Sequence, residues 1–168
     1  MNKIARDLAG VITKIMKERH LTWGKDLAII ISTDAVHYGD QGWGGANLAY
    51  FGADSVGYRK AVQHEYEIIS TLVGPLDTAK IHKFVHYTVQ DTNYMEYKWT
   101  WCGRYSVPMG LLTAYYMSKR LNEPLHGVLL GYANSIDHPM LQVKDLGMDT
   151  TAIANIHHWV GYAAIGYK

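Results

Sequence analysis

The chain holds a single cysteine, Cys102, among its 168 residues. One cysteine excludes an internal disulfide and a thiolate-rich zinc site, and it fits a reducing compartment. A net charge of one sign is also missing. Sixteen Lys and Arg nearly cancel fifteen Asp and Glu. No basic run tracks a phosphate backbone, so nucleic acid is not an expected partner. The thirteen Tyr and five Trp then read as core or pocket walls. No apolar run reaches the length of a membrane span. The start, Met-Asn-Lys-Ile-Ala-Arg-Asp, carries charge where a signal peptide is apolar. These absences predict a cytoplasmic protein without membrane association. Repeats, low-complexity tracts and linkers are absent too. What remains is 48% hydrophobic and 18% charged, enough to bury one domain's core.

Periodicity divides the chain. Residues 2–19 predict an amphipathic helix with Ile4, Leu8, Val11, Ile12, Ile15 and Met16 inward and Lys3, Arg6, Lys14, Lys17 and Glu18 outward. Asp26 to Thr33 predicts a strand, whose apolar run Leu27–Ile31 implies a central position buried on both faces. Residues 38–57 form a long Gly-rich loop with Trp, Tyr and Phe, read either as a lid or pocket wall or as a poorly ordered insertion. It holds no phosphate-cradling pattern. Helices are predicted over Tyr58–Leu72, from an Asp77 cap to about Gln90, and from a Ser106 cap to about Leu121 with Pro108 in its first turn. Leu125–Ser135 and His158–Tyr167 predict strands, with 136–155 irregular between them. The order gives a single α/β domain over residues 1–168, a mixed sheet flanked by helices. A helix opens the chain with no strand before it, which points to a partner segment absent here or supplied by another chain.

Two stretches carry chemistry, and they are expected to line one site. His37 falls just past the expected strand's carboxyl end, where α/β sheets bind ligands. Asp34, three residues earlier, can fix its tautomer, making His37 a candidate acid or base. The alternative is a histidine that satisfies loop backbone groups. Cys102 lies shortly before a helix, with Arg104 two residues on. Both features favour a thiolate, hence metal ligation or nucleophilic attack. The alternative is a small buried apolar residue. Tyr38 and Trp43 join Arg104 as expected pocket residues. His82 and His86 have metal-ligand spacing but no third ligand, and read as a polar helix flank. His157 and His158 are adjacent in an extended segment, so at most one can face a site.

Ser-Thr-Asp-Ala-Val-His-Tyr-Gly at 32–39 resembles the Ser-Ser-Asp-x-x-His-[Trp/Tyr]-Gly motif of the Memo family, also known as AmmeMemoRadiSam system component B. Cys102-Gly103-Arg104 resembles that family's Cys-Gly-Arg segment. Leu130–Ser135 is similar to its Asn-Tyr-Ala-x-Ser strand, and Val160–Ala164 to its closing Val-x-Tyr-Ala-Ala. The resemblance implies a fold like that of the class III extradiol dioxygenases, incomplete at the N-terminus. The family's two metal-binding histidines belong to an N-terminal half with no counterpart here. It also implies Cys102 as a metal ligand and His37 as an acid/base, with iron, copper or zinc as the metal, at a site that is incomplete in this chain because one protein ligand alone would hold a metal weakly. A thiolate in place of a carboxylate softens such a site.

These readings give a Memo-like protein with a metal-associated pocket and non-haem-metal redox or dioxygenase-like chemistry as the first expectation. A non-catalytic peptide- or protein-binding module on the same fold is the alternative. A thiol enzyme pairing Cys102 with His37 is a third. The expected partners are a small molecule or peptide, and either a missing N-terminal half or further copies of the chain.

Overall fold

Helical periodicity accounts for most of the outer elements. The computed structural model describes all residues except 144, 146, 148–150 and 152. Among the described residues the helices are α1 (Asn2–Arg19), α2 (Ser55–Ser70), α3 (Thr78–Thr88) and α4 (Ser106–Leu121). Helix α2 starts at Ser55, three residues before the expected Tyr58, and Asp54 caps it. Its Oδ1 accepts from the Val56 and Gly57 N–H groups at 2.9 and 2.7 Å. Those bonds hold the carboxyl below the usual carboxylate range. Asp77 caps α3 as its type and position predict, accepting from the Lys80 N–H at 2.8 Å. Asp77→Ala is expected to cost about 1 kcal/mol, read as a lower urea midpoint at unchanged slope. An unmoved midpoint would show that the bond adds nothing. Ser106 does not cap α4. Tyr105 holds that position without a side-chain bond, and Ser106 is the first helical residue.

The strands are β1 (His37–Tyr38), β2 (Gly74–Pro75), β3 (His126–Asn134) and β4 (Trp159–Tyr167), in the order β1-β4-β3-β2. The chain is thus α/β, but among the described residues every strand pair is antiparallel, which corrects the expected mixed sheet. Among the described residues no helical crossover, which parallel pairing needs, joins the consecutive strands β3 and β4. They pair from Gly127↔Tyr167 to Asn134↔Gly161, with a slip at Leu130. The irregular stretch expected at 136–155 lies partly outside the described residues.

The predicted strand at Asp26–Thr33 does not form. Leu27 makes only an isolated bridge with Trp23, and Ile30 is 87% exposed. An apolar run can be buried by neighbouring strands or by a helix. Here the position beside β4 belongs to β1; Leu27 and Ile29 pack against Ala9 and Met16 of α1 and Met117 of α4, and Ile31 lies over the start of α4. A Cβ added to Gly110 or Gly103 would meet the Ile31 and Thr33 side chains at 2.5 Å, so those glycines let the run approach.

Ile68 and Ile69 of α2, Phe84 of α3, Leu111 of α4 and Trp159 of β4 meet in one core. Ala9, Met16 and Met117 form a smaller cluster between α1 and α4. The buried face of α1 is therefore Ala5, Ala9 and Met16. Ile4, Leu8, Val11 and Ile15, expected inward, are exposed. Small residues win the inner face because they let α4 approach closely. Among the described residues no helix is long and apolar enough to cross a membrane.

Candidate functional site

Three segments meet at Val36. It opposes Trp101 in an antiparallel bridge. The Cys102 N–H donates to the Ala35 carbonyl at 3.1 Å, and the His37 N–H to the Thr100 carbonyl at 3.0 Å. On the other side, the Gly161 N–H donates to the Val36 carbonyl and the Ala35 N–H to the Gly161 carbonyl, both at 2.8 Å. Residues 35–37 are thus stitched between 100–102 and β4. Cys102 opposes Ala35 and Thr100 opposes His37, so Cys102 and His37 leave the same face.

This stitching gathers Asp34, His37 and Cys102. One donor atom from each lies within 4.8 Å of the other two. Asp34 Oδ2 is 3.2 Å from His37 Nε2. The Asp34 and His37 side chains are 45% and 30% exposed, and Cys102 is exposed, so the trio opens to solvent. A cavity of about 90 Å³ adjoins it, lined by Asp34, Thr33 and Trp101. A larger one of about 520 Å³ is lined by His158, Asn134 and Tyr162. Burial, then the Asp34 carboxylate, pushes the Tyr162 phenol up, so it stays protonated and can donate a hydrogen bond.

Trp43 lies against the site. Its ring stacks on His37 at 5.1 Å between centroids and on His158 at 4.0 Å. The loop that presents it is pinned by both adjacent histidines. His157 Nδ1 is 2.9 Å from Asp40 Oδ1, and His158 Nδ1 is 2.9 Å from the Gln41 carbonyl. His158 therefore reaches the site through Trp43, a role that adjacency in sequence did not reveal. The two other expected pocket residues lie elsewhere. Tyr38 is fully buried, and its hydroxyl donates to the Gly52 carbonyl and accepts from the Phe51 N–H. It braces the Gly-rich loop from inside. Arg104 turns away to lie over the Tyr97 ring at 3.5 Å, with an N–H donated to the Met95 carbonyl. Stacking desolvates a guanidinium favourably, which explains why it leaves the thiol. His86 pairs with Asp91 at 3.0 Å, and His82 joins no cluster among the described residues.

Glu65 underlies the site, and sequence reasoning missed it. It is fully buried. The indole N–H groups of Trp99 and Trp101 both donate to its Oε1 at 2.6 Å, and the Val36 N–H donates to Oε2 at 3.2 Å. Burial pushes its carboxyl up to about 7, against the opposing effect of these three bonds. The available signal was its place in the apolar stripe of α2, between Ala61 and Ile69.

No family model, curated protein or solved structure matches this chain.

Proposed function

We propose that Asp34, His37 and Cys102 hold a transition-metal ion, and that the chain is a Memo-like protein acting on a small molecule at that metal. The observation that carries this reading is the convergence of three different donor atoms within 4.8 Å. Tetrahedral ligands sit roughly 3.3–3.6 Å apart at ordinary bond lengths, so the trio needs to close by only about 1 Å. Thiolate, imidazole and carboxylate together suit zinc, iron or copper, and three protein ligands leave a position open. The resemblance to the Memo motifs supports Cys102 as a ligand; it implies an acid/base role for His37, and the convergence with Asp34 and Cys102 is what makes His37 a ligand in this reading.

Convergence also weighs against a thiol nucleophile relayed through His37. A relay places the acid and the thiol on opposite ring nitrogens, which holds them apart. Here the carboxylate oxygen and the sulfur are themselves neighbours. His37 then serves as a ligand, and Trp43 fixes its ring by stacking. The Tyr162 phenol, kept protonated, is a donor for a ligand's oxygen in the larger cavity. A metal bound here would supply Lewis-acid or redox chemistry to a small molecule at its open position.

Metal content of the purified chain after anaerobic incubation with iron, copper and zinc tests this. Near one ion per chain is expected. Cys102→Ser and Asp34→Asn should weaken binding by more than the roughly 10–100-fold that loss of an outer-shell partner costs. Unchanged metal content in folded Cys102→Ser would refute the site.

A further inference from the structure

Helix α1 carries two adjoining apolar stripes, and only one is used. Ala5, Ala9 and Met16 are buried against α4. Ile4, Leu8, Val11 and Ile15 remain 62%, 42%, 56% and 41% exposed. Their spacing of four, three and four residues is that of a coiled-coil seam, and it runs most of a helix about 27 Å long. A contiguous apolar patch of this kind marks an interaction surface.

The charges beside it say what covers it. At 100° per residue, Lys3, Asp7, Lys14 and Glu18 lie along the edge of the stripe away from α4. Their side chains are 60–89% exposed. Read along the helix, the row alternates plus, minus, plus, minus. In a parallel two-fold pair the two rows would lie on opposite sides of the seam and would not meet. An antiparallel one sets Lys3 against the second copy's Glu18 and Asp7 against its Lys14. A reversal centred one residue nearer the N-terminus brings Ile4 beside Ile15 and Leu8 beside Val11 across the seam, and the long charged side chains span that offset of about 3 Å. The row is its own complement in one orientation only, as a closed two-fold interface requires.

We infer that α1 pairs antiparallel with α1 of a second copy, making the chain a two-fold dimer through Ile4, Leu8, Val11 and Ile15. The present intrahelical pairs, Lys3–Asp7 at 2.9 Å and Lys14–Glu18 at 3.8 Å, are exposed and weak, so exchanging partners costs little. The inference is independent of any metal.

Sedimentation velocity over a concentration series of the full chain tests it. The wild type is expected to dimerise reversibly. Leu8→Glu combined with Val11→Glu should weaken the dimer about 100-fold or more. Asp7→Lys alone should weaken it about tenfold, and adding Lys14→Asp should restore it, because the exchanged row is again its own complement. Circular dichroism checks that each variant folds. The charge exchange alters only exposed positions, so it decides the matter even where the glutamate variant does not fold. A wild type of single-chain mass at every concentration overturns the inference, including the case in which another polypeptide covers the stripe. A dimer indifferent to Leu8 and Val11, or a charge exchange that fails to restore association, overturns it too.

Discussion

Glu65→Ala is expected to lower the unfolding free energy by about 4 kcal/mol, the largest loss of any single substitution considered. It strands the Trp99 and Trp101 indole N–H groups and the Val36 N–H, all of which now donate to the carboxylate. Each buried donor left unmade costs about 1–3 kcal/mol, and the vacated volume adds a cavity term. Release of the buried carboxyl from its desolvation offsets part of this. The loss should reach the site, because Trp101 opposes Val36, and both neighbour a member of the trio. Urea denaturation reads the stability. A loss under about 1 kcal/mol would show that the carboxylate is not the hub of this network.

The same residue makes stability depend on pH. Its carboxyl is raised from 4.5 to about 7 by burial. Between those values the folded chain keeps a proton that the unfolded chain has released. Stability is therefore greatest on the acid side of the window and falls as pH rises through it, levelling above about 7. The loss across the window is on the order of 3 kcal/mol. Glu65→Gln should remove it, since an amide does not titrate. Its carbonyl can still accept from both indoles, while its NH2 cannot accept from Val36. The difference between the two pH profiles isolates Glu65 from the nine histidines. Parallel profiles would mean that Glu65 titrates normally.

Gly39→Ala carries the second large effect, about 3 kcal/mol. Gly39 has φ +128°, and a Cβ there would lie 2.0 Å from the His157 carbonyl oxygen and 2.8 Å from the His158 nitrogen. Both are backbone atoms, so the loop or the start of β4 has to move. The movement should pull Trp43 off His37 and His158, changing tryptophan fluorescence and weakening metal binding together. Gly44→Ala is the control. Its φ is +65°, but nothing lies within 4 Å of the added carbon, so only the backbone strain of about 1 kcal/mol applies. If the two substitutions cost the same, the close approach of His157 to Gly39 carries no energy.

The sequence by itself determined what depends on neighbours a few residues away. The bounds of α1, α3, β3 and β4 follow from periodicity, the Asp77 cap and turn residues, because these act within a turn or a pleat. It also singled out Asp34, His37 and Cys102 as individual residues, from their chemistry and from their resemblance to one family's motifs. Tertiary structure decided what depends on competition for space. Leu27–Ile31 is apolar enough for a central strand, but β1 takes the place beside β4, and the run packs on α1 and α4 instead. Helix α1 offers two apolar stripes, and periodicity cannot say which one meets α4; small Ala5 and Ala9 settle it through close packing. Arg104 goes to Tyr97 rather than to its sequence neighbour Cys102, since an aromatic face holds a guanidinium better than an exposed thiol does. The meeting of Cys102 with Asp34 and His37 rests on backbone bonds between segments more than sixty residues apart, and local sequence carries no record of such pairings.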